Sequence, residues 1–282
     1  IMSYSESVNT KMEWGELKPH LHTHPELPDG IPYRTTYYKR NWGFCVTQSQ
    51  YHELQNLRGP FSVLIDSDLK PGSLTYGECL FPGRSQKEIL ISCYICHPSM
   101  ANDSLSGMLL AAFIANYINN LEDRRWSYRV VFVPETIGAI AYCFANEKAM
   151  KQIDMGFVIT TVGGPGKMGY KQSWQKDHKV NKIIEEVFTE AGHNFLTYPF
   201  DIHGSDERQY SSQAFRINVA TICKDKYYEY PFYHTSLDDL SFVKAENINS
   251  SLKLYLELIQ KLERLPGFGD LHNRQQFKLN RK

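Results

Sequence analysis

The chain has 282 residues, of which 42% are hydrophobic and 22% charged, the make-up of an ordinary folded protein. Lys plus Arg and Asp plus Glu both number 31, so the formal charge is zero and the basic footprint that nucleic-acid binding requires is missing. No run of about 18 apolar residues occurs, so no helical membrane span is expected.

Residues 1–84 carry seven prolines (Pro19, Pro25, Pro28, Pro32, Pro60, Pro71 and Pro82) between short β-like runs at 33–38, 42–47, 61–65 and 74–80. They are read as a small β-rich accessory unit; the alternative is that these strands extend the main sheet. From 85 to 266 the pattern alternates strand and helix. Residues 88–96 form a nearly continuous apolar run, as in a strand buried on both faces. Residues 104–121 place Leu105, Met108, Leu109, Ala112, Phe113 and Tyr117 at helical spacing. A strand is expected at 128–133, a helix at 137–148, a strand at 156–162, a helix at 178–191 ending at Gly192, and a short strand at 220–223. Residues 246–264 are a strongly amphipathic helix ending before Pro266, and 267–282 read as a frayed, polar, basic tail. Alternation of this kind implies an α/β fold, an open and mostly parallel sheet covered by helices.

Six cysteines and no secretory leader suggest a reduced, cytoplasmic protein. Cys93-Tyr94-Ile95-Cys96-His97 matches the spacing of a haem-attachment site, but it ends a buried strand, so buried cysteines are the better reading. His20, His22 and His24 alternate, yet Pro19, Pro25 and Pro28 disfavour the regular strand that would gather them on one face; a surface or interface role is expected. The glycine-rich stretch at 160–170 lacks the Walker spacing and reads as a loop.

In open α/β sheets, ligands bind beyond the carboxyl ends of the strands. At those ends stand His97, then Asp103 at the mouth of the next helix, then Glu135; later come Asp206 and Glu207, and Tyr233 with His234. Imidazole and carboxylate ligands suit zinc, and a catalytic zinc takes three protein ligands with one position open.

The segments "CHPSMANDSLSG", "VFVPETIGAIAY" and "YHTSLDD" resemble the active-site segments of the M28 zinc aminopeptidases. "PHLHTHPELPDGIPY", "YYKRNWGFC" and "DIHGSDERQY" resemble more closely the bacterial aminopeptidase-like DUF4910 proteins with an inserted DUF2172 domain. The resemblance implies a three-layer α/β/α sandwich, residues 1–84 as part of the insert, and a chain truncated at both ends. It implies His97, Asp103 and His234 as metal ligands, Glu135 as general base and Tyr233 as oxyanion donor. Thr136 stands where the family has a second Glu, Thr160 or Thr161 where it has an Asp, and Ser99 where an Asp follows the first His. One zinc per chain is therefore expected rather than two. Asp206, Glu207 or His203 could add a fourth ligand or meet substrate. Asp238 could orient the His234 ring or cap its turn. The expected function is a zinc-dependent hydrolase of a small-molecule or peptide amide. The alternative is a metal- or ligand-binding relative without turnover, linked to polysaccharide biosynthesis. A homo-oligomer is left open.

Overall fold

The longest apolar runs of the sequence become the centre of a seven-stranded mixed sheet. The computed structural model describes residues 1–57, 59–201 and 203–264. Its strands are β1 (Val8–Met12), β2 (Leu21–His22), β3 (Phe44–Cys45), β4 (Phe61–Ile65), β5 (Gly77–Phe81), β6 (Glu88–Tyr94), β7 (Ser127–Val133), β8 (Ile153–Ile159), β9 (Gly169–Lys171), β10 (Leu196–Tyr198) and β11 (Asn218–Cys223). Its helices are α1 (Trp14–Leu17), α2 (Gln48–Asn56), α3 (Gly107–Asn119), α4 (Ile137–Ala145), α5 (Glu147–Met150), α6 (Lys179–Glu190), α7 (Glu207–Tyr210) and α8 (Ala245–Arg264). No described helix is long and apolar enough to cross a membrane.

The sheet order is β10-β9-β11-β8-β6-β7-β5. Strands β11, β8, β6 and β7 run parallel, while β9 meets β11 and β5 meets β7 antiparallel. Every residue of β6 is buried, and the strand's period of two divides its side chains between two cores. Ile89, Ile91 and Cys93 join one face, packed by α3, α6 and α8. Leu90 joins the other, with Ala139, Tyr142 and Cys143 of α4 and Tyr210 of α7. This is the expected α/β/α sandwich. The chain leaves β6 toward β7 on one side and β8 toward β11 on the other, so the carboxyl ends of β6 and β8 flank the crevice where the winding reverses.

The structure corrects the expectations in several places. The strand at 74–80 is β5, and it pairs with β7, so a unit boundary at 84 cuts into the main sheet. Buried Arg129 of β7 explains why: it donates to Glu88 of β6 from Nε (2.5 Å) and Nη2 (3.0 Å), and also to Glu78 of β5, tying three strands through one guanidinium. Residues 33–38 form one isolated bridge, at Thr35, rather than a ladder, and 42–47 yields only the two-residue β3. The helix expected at 137–148 breaks into α4 and α5, and β8 begins three residues before 156. Within the glycine-rich loop, residues 169–171 become β9. The expected tail, 267–282, lies outside the described residues.

Ahead of the sheet, β1 and β4 pair antiparallel from Val8↔Ile65 to Met12↔Phe61. Trp14 packs its ring against Tyr51 (5.4 Å) and Phe61 (6.1 Å). His20 stacks on Trp42 at 3.6 Å, and His24 Nδ1 accepts from the Leu27 amide, so the alternating histidines are each engaged separately. The segment that follows reaches the sheet's rim. Ile31 and Ser236 exchange hydrogen bonds, Pro32 bridges to Thr235, and the Tyr33 amide donates to the His234 carbonyl at 2.7 Å.

Candidate metal centre and active site

The carboxyl end of β6 delivers Cys96 and His97, and a distorted turn at Ala101–Ser106 delivers Asp103 before α3 starts. That turn is held from a distance. The Asp238 carboxylate accepts from the Asn102 amide (2.6 Å), the Asp103 amide (3.0 Å) and the Tyr230 hydroxyl (2.8 Å). These hydrogen bonds are neither to the His234 ring nor a cap of the turn around Asp238 itself: they anchor the Asp103 turn. Asn102 adds a second anchor by accepting from the Gly163 amide at 2.9 Å.

Asp103 is 1% exposed. Its Oδ1 accepts from the Tyr94 hydroxyl at 2.6 Å, and Tyr94 also meets Thr160 Oγ1 at 2.5 Å. Its Oδ2 lies 3.2 Å from His234 Nε2 and 3.9 Å from His97 Nε2. Burial opposes the Asp103 charge, but the two adjoining imidazoles and the Tyr94 hydroxyl outweigh it and hold the carboxyl below its usual range.

Ligand atoms of His97, Asp103 and His234 all lie within 4.8 Å of one another. Ligands about 2.1 Å from a tetrahedral zinc stand roughly 3.4 Å apart, close to the two distances measured around Asp103 Oδ2. His234 Nε2 is buried, and its polar neighbour is Asp103 Oδ2 at 3.2 Å, outside hydrogen-bond geometry, so the two face each other as paired ligands would. The residues present therefore fit one zinc. A second group, Cys96, His97 and Glu135, shares His97.

Glu135 follows β7, with its Oε2 3.6 Å from His97 Nε2 and 29% of its side chain open to solvent. Burial pushes its carboxyl above the usual range, opposed by His97 and reinforced by Asp103. One sulfur steadies both neighbours: Cys96 Sγ accepts from the Glu135 amide at 3.1 Å and lies 3.4 Å from His97 Nδ1.

Asp206 and Glu207 approach from the start of α7 without joining either metal group. Asp206 Oδ1 accepts from the Thr136 amide at 2.7 Å, while its buried Oδ2 has no partner among the described residues. Burial, then Glu135, raises its carboxyl well above normal. Glu207 is engaged by the Ser205 amide and by Lys171 Nζ at 3.2 Å, which makes it a poor free ligand. His203 is exposed beside a separate cleft that Lys226 and Tyr228 also line. Tyr233 lies flat on His234, ring centres 3.9 Å apart at 13°, and burial keeps its phenol protonated.

Ser99, Thr136, Thr161 and His234 all have positive φ (63°, 62°, 48° and 55°). Such backbone is costly for β-branched threonine, and its gathering around one rim is a mark of a functional site. Tyr94, Cys96 and Tyr33 were missed from sequence. Tyr94 and Cys96 stand at the end of β6 and were within reach of the strand-end rule. Tyr33, whose ring meets His234 at 5.2 Å and His97 at 5.7 Å, carries no local signal at all.

A family model described as a domain of unknown function (DUF4910) matches residues 14–265. A Clostridium acetobutylicum protein, provisionally named for polysaccharide biosynthesis and an aminopeptidase-like domain, is 44% identical over 263 residues, 93% of this chain and 60% of its own. A crystal structure of a provisionally named peptidase from Clostridium acetobutylicum superposes with a TM-score of 0.89 at 44% identity, over 93% of this chain and 61% of that one. The chain thus spans about three fifths of these relatives. A zinc aminopeptidase from Bacillus subtilis superposes with a TM-score of 0.63 at 12% identity, over 87% of this chain and 65% of its own, a likeness of fold.

Proposed function

The chain belongs to the DUF4910 family, and from that premise we propose that it is a zinc-dependent hydrolase of amide or peptide bonds, with one metal per chain. His97, Asp103 and His234 would hold the zinc. When bound, the metal supplies a Lewis acid for the scissile carbonyl and lowers the pKa of water toward neutrality. Glu135 takes a proton from the attacking water and returns it to the leaving amine. Burial raises its carboxyl, the direction that strengthens a general base. Tyr233, held protonated against His234, donates toward the oxyanion. Asp206, whose carboxyl burial raises, fixes the Thr136 amide behind Glu135. In this reading residues 1–84, apart from β5, belong to the inserted DUF2172 domain. The setting, after the name of the clostridial relative, is polysaccharide biosynthesis.

The position of Glu135 carries the reading: a partly open carboxylate 3.6 Å from a ligand imidazole, which a binding-only protein would not need. Thr136 favours the second reading, a relative that binds without turnover, because it leaves the rim one carboxylate poorer. Glu135→Gln decides between them. It should keep about one zinc per chain by elemental mass spectrometry while lowering amide turnover roughly 100-fold or more. Unchanged turnover would remove Glu135 from the chemistry, and zinc without turnover in the unmodified chain would favour the binder.

A further inference from the structure

Glu135 also lines a cleft of about 370 Å³ whose opposite wall comes from the accessory unit: Tyr4, Tyr37 and Tyr38. These tyrosines are 55%, 46% and 94% exposed, an unusual concentration of open aromatic surface beside a candidate base. They form one continuous surface. Tyr37 lies 4.9 Å from Tyr4 and 6.1 Å from Tyr38. Tyr37 shares a hydrogen bond with the phenol of Tyr33, whose ring packs on both candidate ligand imidazoles. Tyr33 thus stands between the candidate ligands and the tyrosine wall.

We propose that this tyrosine wall is a subsite for a neutral pyranose ring, carried on one side of the amide that Glu135 helps to cleave; the proposal rests on the hydrolase reading above. The chemistry of the wall selects that group. Aromatic faces attract the C–H face of a sugar, and phenol hydroxyls offer hydrogen bonds to its edge. Among the described residues no cationic side chain lines the cleft, so its lining offers no charge partner for a phosphate or a carboxylate. Among the described residues Ile137 is the only aliphatic one in its lining, and a cleft this open does not enclose a purely apolar side chain.

Calorimetry on the zinc-loaded chain tests this with three hydroxamates that share a metal-chelating head: acetohydroxamate, benzohydroxamate and the hydroxamate of a methyl glucuronoside. The pyranosyl probe should bind about tenfold tighter than acetohydroxamate. Tyr38→Ala should remove roughly threefold to tenfold of that gain and leave acetohydroxamate unchanged, one ring's share of stacking. Tyr38 is so exposed that its loss does not threaten the fold, and Tyr37→Ala provides a second reading. A gain for phenyl alone would overturn the sugar assignment. Equal binding of all three, or a gain that survives both substitutions, would overturn the wall itself. If even acetohydroxamate fails to bind, the single-zinc reading falls and the subsite falls with it.

Discussion

The α/β body and the accessory unit ahead of it reach order by different means. In the body, β6, β7 and β11 are buried almost throughout, and their side chains alternate between two apolar cores. In the accessory unit, β1 has no fully buried residue and β2 and β3 are two residues long. What fixes its segment nearest the site is the docking of residues 31–33 onto 234–236. Burial sets the sheet, whereas the upper wall of the site is set by a few backbone hydrogen bonds across a contact of more than 200 residues' separation.

That contrast can be broken at graded points. Leu90→Ala, in the fully buried centre of β6, should cost about 2–5 kcal/mol by denaturant unfolding. A cost below about 1 kcal/mol would mean that the two cores are not what holds the sheet. Asp238→Ala removes an anchor with three hydrogen bonds from a buried turn and should cost about 2–3 kcal/mol. It should also weaken zinc binding, because Asp103 is held by that turn; intact affinity would separate the turn from the centre. Tyr33→Ala should reduce zinc affinity about tenfold in a competition titration while barely moving the unfolding midpoint of the body. Loss of stability with unchanged affinity would reverse the roles assigned to the two regions. Leu64→Ser, at a 65% exposed position of β4, should change stability by under about 0.5 kcal/mol. A larger loss would reveal a covered apolar face on the accessory unit.

The same contrast explains what the sequence could convey. Strands such as β6 and β7 are legible because burial on both faces writes a continuous apolar run. The positions of His97, Asp103 and Glu135 follow from the rule that chemistry gathers at strand ends. The three-residue β9 and β10 leave too short a pattern, and Gly169 hides β9 inside a loop-like stretch. The bridges at 32 and 35 are held by backbone groups, which leave no trace in side-chain periodicity. The role of Asp238 could not be read from sequence, because its partners at 102 and 103 are fixed only by the fold.

The hydrogen bond from the Tyr33 amide to the His234 carbonyl gives this molecule a built-in reporter. Exchange of that amide with solvent deuterium requires the strap to lift from the backbone of a candidate ligand. Linkage is reciprocal: whatever free energy a seated strap contributes to holding a cation, a bound cation must return as slower exchange at Tyr33. The accessory unit and the centre are thus two readings of one equilibrium, and the occupancy of one can be followed at the other.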